Sequence, residues 1–309
     1  MKCTVCRGPA QISIPRHNTK FCTPHFIEHI HRQAERSIEK YRMFGKEDPL
    51  LLAVSGGKDS MAAWHILSSL GYRVEVIHFD NGFGEFSEQS RRAVEDFAGR
   101  HGLPLRIFSF EQLLGYDFET VLAHTHMPPC SLCGTSKRYH LNKIALDGGY
   151  AAVLTGHNLD DETSFLLGNL LHGQQEYIRK QYPVLPAEPG MARKAKPLVR
   201  LTDRDLRLYA EVNEVTYCGL ECPHATDVRS HYHKELMHEA DAHSPGVKGS
   251  FYFGFMDKIH PDIVVPREER EIHHCRRCGS QTTKQDLCLM CELIEKVEAG
   301  IGREDGVGK

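Results

Sequence analysis

The chain has 309 residues, 40% hydrophobic and 26% charged, with a formal net charge of −3. That length accommodates one large domain with small appendages, and the composition is that of a folded protein rather than a disordered one. With no apolar run of membrane-spanning length and no apolar core behind Met1-Lys2-Cys3, we expect a cytoplasmic protein with no membrane partner.

The eleven cysteines fall in three groups, and in a cytoplasmic protein they point to metals or catalysis rather than disulfides. The first group is Cys3-x2-Cys6, fifteen residues, then Cys22-x2-His25. Two short loops with ligands three apart can present four groups to one tetrahedral ion, and the bonds to zinc replace a core that so small a module lacks. We expect Cys3, Cys6, Cys22 and His25 to bind zinc in a finger spanning residues 1–27. A helix is predicted next, from Phe26 to Phe44, with Gly45 past its end.

A central domain over residues 28–268 begins with a predicted strand, Leu50–Val54, then Ser55-Gly56-Gly57-Lys58-Asp59-Ser60, then a helix from Met61 to Leu70. Strand, glycine turn and helix make an anion cradle: backbone N–H groups close on a phosphate and the helix N-terminus adds partial positive charge. The spacing is not that of a Walker A loop. Val74–Phe79 reads as a second strand, Ser87–His101 as a helix and Leu105–Phe110 as a third strand. Gly134–Leu146 reads as a helix, Ala151–Thr155 as a fourth strand and Leu159–Leu171 as a helix. Such alternation implies a doubly wound parallel α/β sheet whose ligands sit at the carboxyl ends of the strands.

Further motifs lie at those ends. His78-Phe79-Asp80 closes the second strand, where an adenine could lie, although His78 reads equally well as a buried polar residue. Gly156-His157-Asn158-Leu159-Asp160-Asp161-Glu162 follows the fourth. It suits a helix start, but three carboxylates facing a polyphosphate need a cation between them. Asp161 and Asp59 are the candidate Mg²⁺ or ribose contacts. Between strands three and four, Cys130-x2-Cys133 enters a helix whose dipole stabilises thiolates, and Cys222-Pro223 comes later. These three cysteines suit a [4Fe-4S] cluster with one open iron, a persulfide couple, or a third zinc; Cys218 could replace Cys222. Arg193, Lys194, Lys196, Arg200, Arg204 and Arg207, opposed only by Asp203 and Asp205, are the best candidate for a basic patch on nucleic acid, although taken alone the stretch reads better as a solvated face. The chain closes with Cys275-x2-Cys278, nine residues, Cys288-x2-Cys291, a four-cysteine zinc ribbon over residues 269–309. A zinc with four thiolates adds about −2 and one with three thiolates and a histidine about −1, so the holoprotein is acidic.

Together, the SGGKDS loop, CSLCGTSKRY, GHNLDDE, a later ECP and the flanking zinc modules resemble the tRNA 2-thiouridine synthetases. This family uses a pyrophosphatase-type phosphate loop (PP-loop) of the adenine nucleotide α-hydrolase-like fold. The resemblance implies that Cys3, Cys6, Cys22 and His25 hold one zinc and Cys275, Cys278, Cys288 and Cys291 the other. It implies that Cys130, Cys133 and Cys222 hold the [4Fe-4S] cluster. Ala53, Ser55, Gly56, Gly57, Asp59, Ser60, Phe79, Gly156 and Asp161 would line an ATP site, with Lys58 and His78 beside them. Lys137 and Asp161 would be the catalytic pair, with Asp59 and Mg²⁺ assisting. The implied activity is ATP-dependent 2-thiolation of a tRNA uridine through an adenylated C2 oxygen, giving AMP and pyrophosphate. The implied position is 5-methyluridine 54 of the T loop, with sulfur passed through the cluster from a ubiquitin-like thiocarboxylated carrier to a homodimeric enzyme. The alternatives are a wobble-uridine thiolase of the same superfamily, a relative attacking the adenylate with an amine, and a zinc-ribbon RNA-binding protein with an inactive nucleotide fold.

Overall fold

The computed structural model describes residues 1–225, 228–263 and 271–304. The chain opens on a hairpin, β1 (Ile12–Ile14) and β2 (Thr19–Phe21), followed by α1 (Thr23–Lys40). Next come β3 (Leu50–Ala53), α2 (Lys58–Ser69), β4 (Val74–Asp80), α3 (Gly84–His101) and β5 (Leu105–Ser109). Short helices α4 (Phe110–Leu114) and α5 (Phe118–Thr125) lead to the long α6 (Pro129–Asp147), then β6 (Ala152–Leu154) and α7 (Leu159–Leu171). The remainder is α8 (Gln175–Lys180), β7 (Val184–Leu185), β8 (Lys194–Ala195), α9 (Asp203–Val212), α10 (Val228–His243), α11 (Val247–Lys258), α12 (His260–Ile263), β9 (His273–His274), β10 (Gln281–Thr282) and α13 (Leu289–Glu304).

The central sheet has six strands in the order β5-β4-β3-β6-β8-β7, parallel except for β7, which pairs antiparallel with β8. From β3 the chain winds outward through β4 to β5, then returns to place β6 on the other side of β3. A crevice therefore opens at the carboxyl ends of β3 and β6. Helices on both faces explain the unbroken apolar run of β3. Leu50 and Leu52 join a core with Ala34, Trp64, Phe97 and Tyr209, while Leu51 faces Ile77, Leu141 and Val153. Each such leucine contributes about 1.5–3 kcal/mol by leaving water.

A third core is shared between distant segments. Phe110, Phe118, Val121 and Leu132 pack with Cys275, Leu287, Met290, Leu293 and Val297. The C-terminal ribbon thus sits directly on α5 and α6. The expected domain boundary at 268 lies outside the described residues, and α1 runs unbroken across residues 27 and 28.

Several elements differ from expectation. Helix α1 starts earlier than Phe26, with Cys22 at its N-cap and a proline in its first turn. It stops at Lys40 because Arg42 turns left-handed, with φ 47°. Helix α6 begins at Pro129 rather than Gly134, so the two cysteines lie inside its first turns; proline suits the first helical position, where no N–H is needed. Helix α4 was legible but unread: Ser109 accepts from Gln112 N–H in a capping box, and Gly115 ends the helix in the left-handed region. Strands β7 and β8 are two residues each, too short to show a period. Among the described residues, no helix is long and apolar enough to cross a membrane.

Leu132 is fully buried between the two cysteines of α6 and anchors that turn to the ribbon core. Leu132→Ala is expected to destabilise the chain by about 2–5 kcal/mol, read by urea unfolding. An unchanged midpoint would show that the ribbon does not support α6.

Candidate active site and metal centres

The loop after β3 is closed by its own side chains. Ser60 Oγ donates to Gly57 O at 2.9 Å and accepts from Ser55 N–H at 3.1 Å; the two serine hydroxyls also lie 3.1 Å apart. Gly56 has φ 84°, and a Cβ there would meet Ser90 O at 2.7 Å, so glycine is required twice over. Gly156, at the end of β6, touches the same turn: a Cβ would lie 2.9 Å from Ser60 Cα and 3.1 Å from Asp59 C. Cys218 N–H donates to Gly56 O at 2.8 Å, laying the segment before Cys222 across the loop. Cys218 itself is a buried thiol against Phe86 and Leu220 carbonyls.

The charged groups of the crevice pair with one another. Lys58 Nζ bridges Asp59 Oδ1 at 2.5 Å and Asp203 Oδ1 at 2.8 Å. Burial alone would pull Lys58 down, but these two carboxylates raise its pKa above the ordinary lysine value. Burial pushes Asp59 up, and the negative charges of Asp161 and Asp203 add to the rise against Lys58. Asp161 Oδ2 accepts from Asn158 N–H at 3.0 Å, while its Oδ1 lies 2.5 Å from Lys234 Nζ of α10.

The three carboxylates of GHNLDDE do not face a polyphosphate together. Asp160 is buried, with Lys248 Nζ at 2.5 Å and Asp203 N–H donating to it at 2.8 Å. Glu162 is also buried, paired with Lys196 at 2.8 Å and accepting from Tyr252 at 3.1 Å. Only Asp161 of the three opens toward the crevice, because successive helical positions diverge by about 100°.

On the other side of β3, Ala53 and Phe79 belong to the core beneath α6. His78 is buried, and its Nδ1–H donates to Val54 O at 2.9 Å. Its Nε2 has no partner among the described residues, and burial holds the ring below the usual histidine range.

Cys130, Cys133 and Cys222 are neighbours. Cys130 Sγ donates to His224 O at 3.2 Å, which ties the Cys222 segment to the start of α6, and Cys133 Sγ donates to Asn81 Oδ1 at 3.8 Å. Burial pushes the Cys222 thiol up; the His224 N–H and Lys137 oppose this, while Cys133 and Cys130 add to it. Lys137, half-buried on α6, also disfavours protonation of His78. The three sulfur atoms do not all lie within 4.8 Å of one another. A cubane is wider than a single ion, so that looser spacing suits a cluster better than a third zinc.

Among the described residues, two sets do meet that spacing: Cys3, Cys6, Cys22 and His25, and Cys275, Cys278, Cys288 and Cys291. In the first, Cys22 Sγ lies 3.0 Å and Cys3 Sγ 3.6 Å from His25 Nδ1. His17 and His29 stand apart as an aromatic pair. In the second, Tyr139 OH of α6 lies 3.1 Å from Cys278 Sγ, joining the ribbon to the thiol helix.

The basic stretch is internal only in part. Arg193 donates to Arg42 O, Lys196 pairs with Glu162 and Arg200 donates to Gln33 Oε1 at 2.9 Å, whereas Arg204 and Arg207 are exposed, Arg207 pairing with Asp203. Burial lowers the pKa of Lys194. Sequence reasoning missed Asn81, Asp203, Lys234 and Lys248, which carry no motif and reach the site only through the fold.

Both tight sets fit a tetrahedral zinc with no open position. Elemental analysis of the purified chain is expected to give two zinc ions, one lost in Cys6→Ser and the other in Cys288→Ser. Retention of both ions in either variant would contradict the ligand sets.

Residues 2–27 match the family model described as 2-thiouridine synthetase TtuA, N-terminal LIM domain, and residues 27–222 match that of the PP-loop domain. The tRNA-5-methyluridine(54) 2-sulfurtransferase of Thermotoga maritima is 38% identical over 301 residues, covering 96% of this chain and 97% of its own. The enzyme of the same name from Pyrococcus horikoshii is 38% identical over 296 residues, covering 95% of this chain and 93% of its own. Among solved structures, the U34-tRNA thiolase NcsA from Methanococcus maripaludis with its [4Fe-4S] cluster shares the fold, with a TM-score of 0.79 at 22% identity over 94% of this chain and 95% of that one. With its phosphate loop and its N-terminal module both matched and its relatives aligned end to end, the chain belongs to the TtuA-type tRNA 2-thiouridine synthetases of the PP-loop superfamily.

Proposed function

We propose that this chain is an ATP-dependent tRNA 2-sulfurtransferase that replaces the C2 oxygen of 5-methyluridine 54 in the T loop with sulfur. One observation carries the reading. The phosphate loop and the thiol trio open at the same end of the same sheet and are joined by the Cys222 segment, where Cys218 N–H donates to Gly56 O at 2.8 Å and His224 O accepts from Cys130 Sγ at 3.2 Å.

The N–H groups of the Ser55–Ser60 turn and the first turn of α2 suit the β and γ phosphates. Asp59 and Asp161 are the carboxylates that would hold the Mg²⁺ travelling with ATP. A bond forms between uridine O2 and the α phosphorus as the bond to pyrophosphate breaks. Lys137 offsets the negative charge developing there. Sulfur then bonds to C2 as the C2–O bond breaks, and AMP carries the oxygen away. A [4Fe-4S] cluster held by Cys130, Cys133 and Cys222 would supply an iron with an open position for sulfide. The two zinc ions would be structural. A ubiquitin-like carrier with a C-terminal thiocarboxylate as sulfur donor, and a homodimer, complete the proposal on the strength of the family resemblance.

The position within tRNA follows the two relatives at 38% identity, both named for 5-methyluridine 54. Nucleoside mass spectrometry of tRNA from cells lacking the protein is expected to show thiolation lost in the T loop. Loss at the wobble base instead would move the chain to the sister branch. Anaerobically purified protein is expected to be brown, with Cys130→Ala colourless and inactive; a colourless, fully active wild type would contradict the cluster.

A further inference from the structure

Helix α10 follows the Cys222 segment and packs on α7. The fit is close: a Cβ on Gly168 of α7 would meet His233 Nδ1 at 2.7 Å. Two α10 side chains four apart, and so on one face, reach the first turn of α7. His238 Nε2 lies 3.4 Å from Asp160 Oδ1, and Lys234 Nζ lies 2.5 Å from Asp161 Oδ1.

The two aspartates are served differently. Asp160 and its partner Lys248 are 2% and 4% exposed, as expected of a pair that only holds elements together. Asp161 and Lys234 are 15% and 36% exposed, at the mouth of the crevice. A partly exposed pair is held less firmly than a fully buried one. Lys58 has less freedom, being clamped by Asp59 and Asp203 and 14% exposed. Among the carboxylates around Lys234, Asp59 belongs to the first turn of α2, whose N-terminus forms the phosphate cradle, and its negative charge acts on Lys234 together with that of Asp161. Around the cradle, Asp59, Asp161 and Asp203 are paired with Lys58 and Lys234, and Asp203 also with Arg207. An arriving polyphosphate needs a cation that can turn to it, and Lys234, 36% exposed against 14% for Lys58, is the freer of the two lysines.

We propose that Lys234 is a polyphosphate-binding residue delivered by α10, which leaves Asp161 to donate to the β and γ phosphates of ATP. This rests on the reading of the crevice as an ATP site. It gives the lysine a role on the pyrophosphate side, distinct from that of Lys137 on the thiol side. It also releases Asp161 to face a divalent cation at the moment the nucleotide binds.

The test compares binding of ATP and of AMP, which lacks the β and γ phosphates, to the purified full-length holoprotein, its K234A variant and its K234R variant. Thermal melting checks that each variant folds. K234A is expected to weaken ATP by about 10- to 100-fold, the worth of a hydrogen bond to a charged group. AMP should be unchanged, and K234R should recover most of the loss. If K234A binds ATP as wild type does, the inference fails. It also fails if ATP and AMP weaken equally, because Lys234 would then act only by placing Asp161. If wild type binds neither nucleotide, the ATP reading itself falls and the inference with it.

Discussion

At the end of β6 there is room for a hydrogen on Gly156 but not for a methyl group, because the backbone of Ser60 and Asp59 lies within 3.1 Å of where a Cβ would stand. That approach seats the start of α7 against the start of α2 across the point where strand order reverses. It is why Asp161, in the first turn of α7, shares its surroundings with Asp59, in the first turn of α2. The phosphate cradle on its own is a turn of six residues. The second strand end, brought in by the parallel topology, adds Asp161 to the turn's own Asp59, and with it the reach of α10. Gly56 imposes the matching demand from the other side, where α3 presents Ser90.

Around that contact, charge is divided by exposure. Asp160 with Lys248 and Glu162 with Lys196 are buried pairs, and removing one partner of such a pair costs about 3–5 kcal/mol. Asp161 with Lys234 is partly open, where pairs contribute about 0–1 kcal/mol. The buried pairs fix α11 and the segment just after β8 against α7. The open pair can rearrange without disturbing them. Neighbouring carboxylates in one sequence motif are thus placed differently, Asp160 and Glu162 in buried pairs and Asp161 at the crevice.

The thiol site depends on a segment far away in sequence. Leu132, between Cys130 and Cys133, is buried in the core of the C-terminal ribbon, and Tyr139 reaches Cys278. Order in the ribbon therefore sets order at the start of α6. From the other direction, the Cys222 segment is pinned by Cys218 N–H on Gly56 O, so it answers to the phosphate loop. The phosphate loop and the thiol trio share a wall built from three parts of the chain.

How much of this was legible follows from what is local. The Ser55–Ser60 turn, the C-x2-C pairs and the βα alternation depend on neighbours in sequence, and they stand where the residues implied. The roles of Asp160 and Glu162 turned on which way a helix faces, which motif spacing does not record. Asp203, Lys234 and Asn81 reach the crevice from segments without a signature, so nothing marked them. The stretch from Arg193 to Arg207 looked like a basic face because its acceptors, Arg42 O, Gln33 and Glu162, are supplied by other elements. The central claim is that the uridine oxygen itself is activated by AMP. A heavy-oxygen label at C2 of the target uridine tests it most directly, with the products read by mass spectrometry. The account predicts that the label leaves in AMP, one atom for each sulfur installed. Label released to water, with none in AMP, would contradict it.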